Sequence, residues 1–374
     1  MLLGSIAACV ALAASAAGAA PAAPPREAIV ESQLLPAAVK SSVRQLASAA
    51  ALNASERLAR VRALIEAGRA GGDPRSLGYA EALLAVWPAT SPTAPVDALV
   101  LRATIEQSRH RFDAARALLD RVLAQSPAHG QALLTRATIA TVTGEYVAAR
   151  RDCTQLQPLH AVAAAICNAS VDAATGAEAR ALDALRAAAR DSAGSLRGWA
   201  LAALAQVHEQ RGEIPAAAEA YRAALASGEG LVTRLGYADM LIDSDAHAQA
   251  LALLAEAPPA DGVLVRRWLA ERARGEDNAP LAAELQSRFA EARARGDLLH
   301  AREAAMFALA RGDAAAALQL AQENWAVQRE PADLLMLARA ARAAGDRLAR
   351  DRVENWLRAS GLRDARIATA LGNP

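Results

Sequence analysis

At 374 residues the chain is too long for one compact core and ordinary for an array of repeated units. Hydrophobic residues make up 53% of it but aromatics only 3%, and alanine carries most of the apolar fraction, which disfavours a sheet sandwich and points to thin, close-packed helical layers. Lys and Arg number 41 against 40 Asp and Glu, a formal net charge of +1 with the signs interspersed, so the clustered basic face that nucleic acid requires is missing. Alanine and arginine are also what a GC-rich genome would supply, and a single lysine, Lys40, is in keeping with such a bias.

From the N-terminus, Leu2 to Ala20 carry no charge. The run Ile6 to Ala14 reads as an apolar core, Ala17-Gly18-Ala19 as a small-x-small cleavage motif, and Pro21, Pro24 and Pro25 as an extended stretch beyond it. This predicts a secretory signal peptide over 1–19, although no basic residue precedes the apolar run. An alternative reading takes Ile6-Ala7-Ala8-Cys9 as a lipidation motif that anchors the chain through Cys9. No later segment is long and apolar enough to span a bilayer. The expectation is a periplasmic or secreted protein, with a linker and N-terminal helix over 20–54.

The next signal is internal repetition. Ala98-Leu99-Val100-Leu101-Arg102-Ala103-Thr104-Ile105 recurs as Ala132-Leu133-Leu134-Thr135-Arg136-Ala137-Thr138-Ile139, 34 positions further on. The same offset carries Phe112 to Tyr146 and Ala115 to Ala149. Turn signals follow in order at Gly72-Asp73-Pro74, His110-Arg111-Phe112, Gly144-Glu145-Tyr146, Gly176-Ala177-Glu178, Gly212-Glu213-Ile214, Ser244-Asp245, Gly275-Glu276, Gly312-Asp313 and Gly345-Asp346. Between them apolar residues keep helical spacing, as in Phe112, Ala115, Leu118, Leu119, Val122 and Leu123. Small residues recur where helices cross closely: Ala103, Ala137, Ala169, Ala205 and Gly236 in first helices, and Ala115, Ala149, Ala181 and Ala217 in second helices. Pro127 ends one second helix and Pro215 sits in the first turn of another. No pair can bury its apolar face alone, so the pairs must stack. Nothing alternates with period two, so no sheet is expected.

A helix–turn–helix unit of this period resembles the tetratricopeptide repeat (TPR). The resemblance implies an all-α, right-handed α-α superhelix of about eight to nine helical pairs over 55–361, with a C-terminal tail over 362–374. The chain is also similar to exported bacterial TPR proteins without an assigned activity. In the family the groove is lined by fixed positions of each first helix. Carrying that register across gives Thr104, Thr138, Ser170, Gln206 and Tyr237, then Arg272, Arg302, Arg339 and Arg342 in the later units. The resemblance therefore implies a groove passing from neutral to cationic, suited to a partner segment with acidic residues toward the C-terminal repeats. The Lys and Asn set with which some relatives clamp a C-terminal carboxylate is missing.

Reactive chemistry is sparse. The six histidines, His110, His129, His160, His208, His247 and His300, are scattered, and none forms the two-histidine zinc helix, so each reads as a turn or surface residue. There is no nucleophile elbow and no P-loop, and Gly228-Glu229-Gly230 follows no strand. No catalytic residue, metal or cofactor is expected. The tryptophans Trp87, Trp199, Trp268, Trp325 and Trp356 read as interhelical packing. Cys153 lies in a second helix and Cys167 in the next first helix, at similar height around the turn near Pro158. Two readings stand: a disulfide formed in an oxidising compartment, or two buried thiols acting as small apolar residues.

The functional expectation is an exported scaffold that binds a protein or peptide partner, with no catalysis and no nucleic acid. Two alternatives stand beside it: a platform for an unrecognised enzymatic or transport-associated role, and a structural protein that self-assembles into a homo-oligomer.

Overall fold

The computed structural model describes residues 52–72, 75–276, 278–296 and 299–372. The expected signal peptide, Cys9 and nearly all of the 20–54 segment lie outside the described residues. Within them the chain forms helices and no strand. Nine helical pairs follow in order. They are α1 (Ala54–Gly71) with α2 (Arg75–Leu84), α3 (Val96–Ser108) with α4 (Phe112–Gln125), and α5 (Gly130–Val142) with α6 (Tyr146–Leu156). Next come α7 (Ala161–Ala174) with α8 (Glu178–Arg190), α9 (Gly194–Gln210) with α10 (Ile214–Ala226), and α11 (Leu231–Asp243) with α12 (His247–Leu254). The last are α13 (Asp261–Ala273) with α14 (Ala279–Ala294), α15 (Ala301–Ala310) with α16 (Ala314–Val327), and α17 (Pro331–Ala343) with α18 (Arg347–Ser360); α19 (Ala365–Leu371) stands alone. No helix among the described residues is long and apolar enough to cross a membrane.

Local chemistry sets the boundaries. Asn53 accepts from the Glu56 N–H while Glu56 Oε2 accepts from the Asn53 N–H, closing a capping box that starts α1. Asp313, Asp346 and Asp364 cap α16, α18 and α19 in the simpler way, each accepting from backbone N–H groups of the first turn. Between paired helices the chain turns through a left-handed residue. It is glycine at Gly72, Gly144, Gly176, Gly212, Gly275, Gly312 and Gly345, while His110 and Asp245 adopt the same conformation, with φ of 56° and 57°.

The small residues sit at the helix crossings. Ala103, Ala115, Ala137, Ala149, Ala181, Ala205 and Ala217 are fully buried, and a Cβ on Gly236 would come within 3.2 Å of the Tyr221 hydroxyl. Each odd-numbered helix from α1 to α15 packs on the next odd-numbered one, so the first helices form a continuous inner layer with the second helices outside it. The segment expected as a tail departs from that reading. Residues 365–371 form α19, which packs on α17 where the first helix of a tenth unit would stand. Ile367, Ala370 and Leu371 supply its buried face, and the sequence signal was weak because the helix is only 7 residues long.

Cys153 on α6 and Cys167 on α7 are joined by a disulfide with a Cα–Cα distance of 5.6 Å. It staples the third unit to the fourth.

The superhelix is wound so tightly that its successive turns touch. At the first unit, a Cβ on Gly72 would lie 2.6 Å from Ala260 Cβ, beyond the sixth unit. At the third, Gly144 lies under the Trp356 ring of α18. The Arg329 N–H donates to the Val142 carbonyl (2.7 Å), and the Arg329 guanidinium lies 5.2 Å over Trp356. Gly176, in the fourth unit, packs on the Gly361 carbonyl, and Arg363 donates to both Glu178 carboxylate oxygens (2.7 and 3.0 Å) and to the Gly176 carbonyl (2.8 Å). Arg366 of α19 reaches Glu209 in the fifth unit. Gly275, Gly312 and Gly345, in units with no further turn above them, would meet nothing within 4 Å.

Candidate binding chamber

The inner layer encloses a chamber of two adjoining lobes. The larger, of about 410 Å3, is walled by α9, α11, α13, α15, α17 and α19. The smaller, of about 220 Å3, lies toward α5 and α7 and includes Tyr146 and Trp199. Gln206, Gln210, Glu330 and Pro331 belong to both. The chamber follows from the winding: the linker between α16 and α17 is carried across to face α9, and Glu330 stands where the lobes join.

Arginines in the larger lobe are matched by carboxylates. Arg266, fully buried, grips Asp239 through Nε and Nη2 (2.7 and 2.6 Å) and returns Nη1 to its own helix at the Gly262 carbonyl (2.9 Å). A Cβ at Gly262 would lie 2.9 Å from a Leu235 methyl and 3.3 Å from the Arg266 guanidinium, so a larger residue there would make these side chains shift. Arg302 Nη1 lies 3.2 Å from Asp333, which also accepts from Asn324 Nδ2 (2.8 Å). Arg339 pairs with Asp243 across the groove at 2.7 Å. Arg366 joins Asp364 and Glu209, and Glu209 also accepts from the Tyr221 hydroxyl (2.8 Å).

Titration follows these surroundings. Burial opposes ionisation of Glu303, but Arg302 and Arg266 outweigh it and hold its carboxyl down at about 2. Burial, reinforced by the charge of Asp333, pushes the Glu330 carboxyl up to about 7 against the pull of Arg302. Burial likewise pushes the Tyr146 hydroxyl up to about 12.

The residues expected to line the groove fall into three groups. Thr138, Ser170 and Gln206 face the chamber, but the Thr138 and Ser170 hydroxyls donate to carbonyls one turn back, at Leu134 and Ile166, leaving only acceptor capacity for a ligand. Arg302 and Arg339 also face it, already paired. The other four stand elsewhere. Thr104 is buried and bonds to the Val100 carbonyl, and Tyr237 is buried and stacked on Tyr221 at 5.3 Å. Arg272 lies 5.5 Å over the Trp268 ring, and Arg342 donates to the Thr369 carbonyl (3.3 Å). Of the expected cationic stretch, the two arginines that face the chamber are thus neutralised from within, by carboxylates the register gave no means of placing. His208 also departs from its reading as a turn or surface residue. It is buried, with Nδ1 2.5 Å from Glu213. His208 and then Arg211 hold the Glu213 carboxyl below the usual range. Among the described residues no cluster of His, Cys, Asp or Glu has the make-up of a metal site.

Gln210, Glu330, Arg266 and Arg366 form much of the chamber and were not anticipated. Glu330 lies in a linker and Arg366 in the supposed tail, so the helical register reached neither.

The 34-residue period and the two-layered stack of pairs decide the architecture. The chain is an all-α solenoid of stacked helical pairs. No family model and no curated protein sequence matches it. Solved structures similar to it include two tetratricopeptide-repeat chains. One is a tetratricopeptide repeat protein from Parabacteroides merdae, 15% identical, with a TM-score of 0.38 over 81% of this chain and 99% of that one. The other is the P58(IPK) TPR domain, 14% identical, with a TM-score of 0.22 over 82% of this chain and 99% of that one. In this solenoid the inner helices supply the chamber wall, and the ninth pair with α19 closes it.

Proposed function

We propose that this solenoid is an exported scaffold that holds a protein or peptide partner and performs no chemistry of its own. The observation that carries the reading is the continuous inner layer of first helices around a chamber. A concave surface of this kind offers a partner many contacts from a rigid frame. The absence of catalysis is supported by the charged groups of the wall. Most are spent on one another, as in Arg266–Asp239 and Arg339–Asp243, rather than aimed at a shared point. Export is supported by the uncharged N-terminal run of the sequence and by the Cys153–Cys167 disulfide, a bond that persists in oxidising compartments.

The test is a pull-down of the tagged full chain from cell-envelope extract under mild crosslinking, with thiol counting on the same material. A stable heterologous partner and no titratable Cys153 or Cys167 thiol are expected. Self-association alone would replace the scaffold reading with a structural one. Two titratable thiols after unfolding without reductant would mean no bridge and count against export.

A further inference from the structure

The wall of the larger lobe holds more carboxylates than cations. Arg266 lies between Asp239 and Glu303, and Arg302 between Asp333 and Glu303. Arg366 lies between Asp364 and Glu209, and Arg339 has Asp243. These four guanidinium groups thus already meet six carboxylates. Glu330 is a seventh, and of the carboxylates that line the lobe it is the one with no ion pair among the described residues. Holding a carboxylate away from water without a cation is unfavourable, and burial together with Asp333 pushes Glu330 up to about 7. Burial raises Glu209 too, against the pull of Arg366.

What this wall lacks is a positive charge, and the described residues do not provide it. They include no lysine, and Arg329, next to Glu330 in the chain, is stacked over Trp356. The rest of the lobe is aliphatic and adaptable: Leu235, Leu309, Leu335, Met306 and Met336 line it. Its volume of about 410 Å3 has room for a long side chain and a neighbour. Val232, in the same wall, is 79% exposed, so the lobe is open to solvent beside α11. Glu330 itself is only partly buried.

We propose that the larger lobe docks a basic segment of a protein partner, a lysine flanked by aliphatic residues, whose ammonium pairs with Glu330. The lysine stem and the flanking residues lie against the leucines and methionines. A lysine suits the lobe because it carries a point charge on a flexible four-carbon stem. The assignment names the partner's chemistry and rests on the scaffold reading. It reverses the acidic segment that the repeat register implied, because the arginines of that register are consumed within the wall while a carboxylate is left over.

Calorimetric titration of the disulfide-bonded full chain at pH 8 tests it. The probes are acetyl-Leu-Lys-Leu-amide and the same peptide with Gln or Glu in place of Lys. The lysine peptide is expected to bind saturably with one site per chain, and the other two at least tenfold more weakly. Glu330→Gln is expected to fold and to bind the lysine peptide no better than the glutamine one. Leu309→Trp, which narrows the lobe, is expected to weaken the lysine peptide at least tenfold and serves if the first variant does not fold. No saturable binding of the lysine peptide, equal or tighter binding of the Gln or Glu peptide, or an unchanged lysine preference in folded Glu330→Gln would overturn the proposal. So would a heterologous partner that the chain captures and the lysine peptide does not displace, an outcome that leaves the scaffold reading standing.

Discussion

The carboxyl of Glu330 sits where the two lobes meet, and its environment works against its charge. Burial comes first, the neighbouring Asp333 second, and Arg302 offsets them only in part, so the group titrates near 7 in place of its ordinary 4.5. Between those values the folded chain holds a proton that the unfolded chain has released. Its contribution to stability is therefore full below about pH 4.5 and is lost as the pH rises through 7. Glu303 behaves in the opposite sense. Its carboxyl is held at about 2, so its contribution is present above about pH 4.5 and disappears as the pH falls toward 2. The substitution Glu330→Gln keeps the shape and removes the titration. It is expected to stabilise the fold by roughly 1–2 kcal/mol at pH 8 and by almost nothing at pH 4.5. Urea midpoints of both proteins at the two pH values measure this; a gain equal at both would show that charge plays no part.

At the scale of helices and turns, much of the architecture was legible. The left-handed turn residues fall at Gly144, Gly176, Gly212, Gly312 and Gly345, where glycine announced them, and α4 buries Phe112, Ala115, Leu118, Leu119, Val122 and Leu123, the stripe that helical spacing marked. A helix and its turn are determined by neighbours a few positions away, and those leave a pattern. The chamber is not local. Arg339 and Asp243 lie 96 positions apart and Arg366 and Glu209 lie 157 apart, so no spacing rule joins them. The turn glycines also divide into two kinds that look alike in the sequence. Gly144 needs both its φ of 81° and the space beneath Trp356; Gly312, with φ of 86°, needs only the backbone conformation. Alanine in a left-handed conformation costs about 1–2 kcal/mol at either position. Gly144→Ala is expected to lose a further amount on the order of 1–3 kcal/mol, because the added Cβ overpacks the contact with α18. Denaturation of the two variants beside the parent chain checks the difference, and equal losses would mean that the turns of the superhelix do not press on each other at Gly144.

For the molecule as a whole, the contacts between superhelical turns alter how it comes apart. In a linear stack each unit touches only its neighbours, so the ends loosen first and opening spreads inward one unit at a time. Here the last pair and α19 are fastened to the third, fourth and fifth units through Arg329, Arg363 and Arg366, and the first unit meets the chain beyond the sixth. An end cannot fray without breaking bonds to the middle. Backbone amides of α18 are therefore expected to exchange with deuterated solvent about as slowly as those of α7, in place of the gradient that an open array gives. Arg363→Ala with Arg366→Ala would restore that gradient, speeding exchange in α18 and α19 well before α11. The closed winding thus turns a row of weakly coupled units into a body that melts as one.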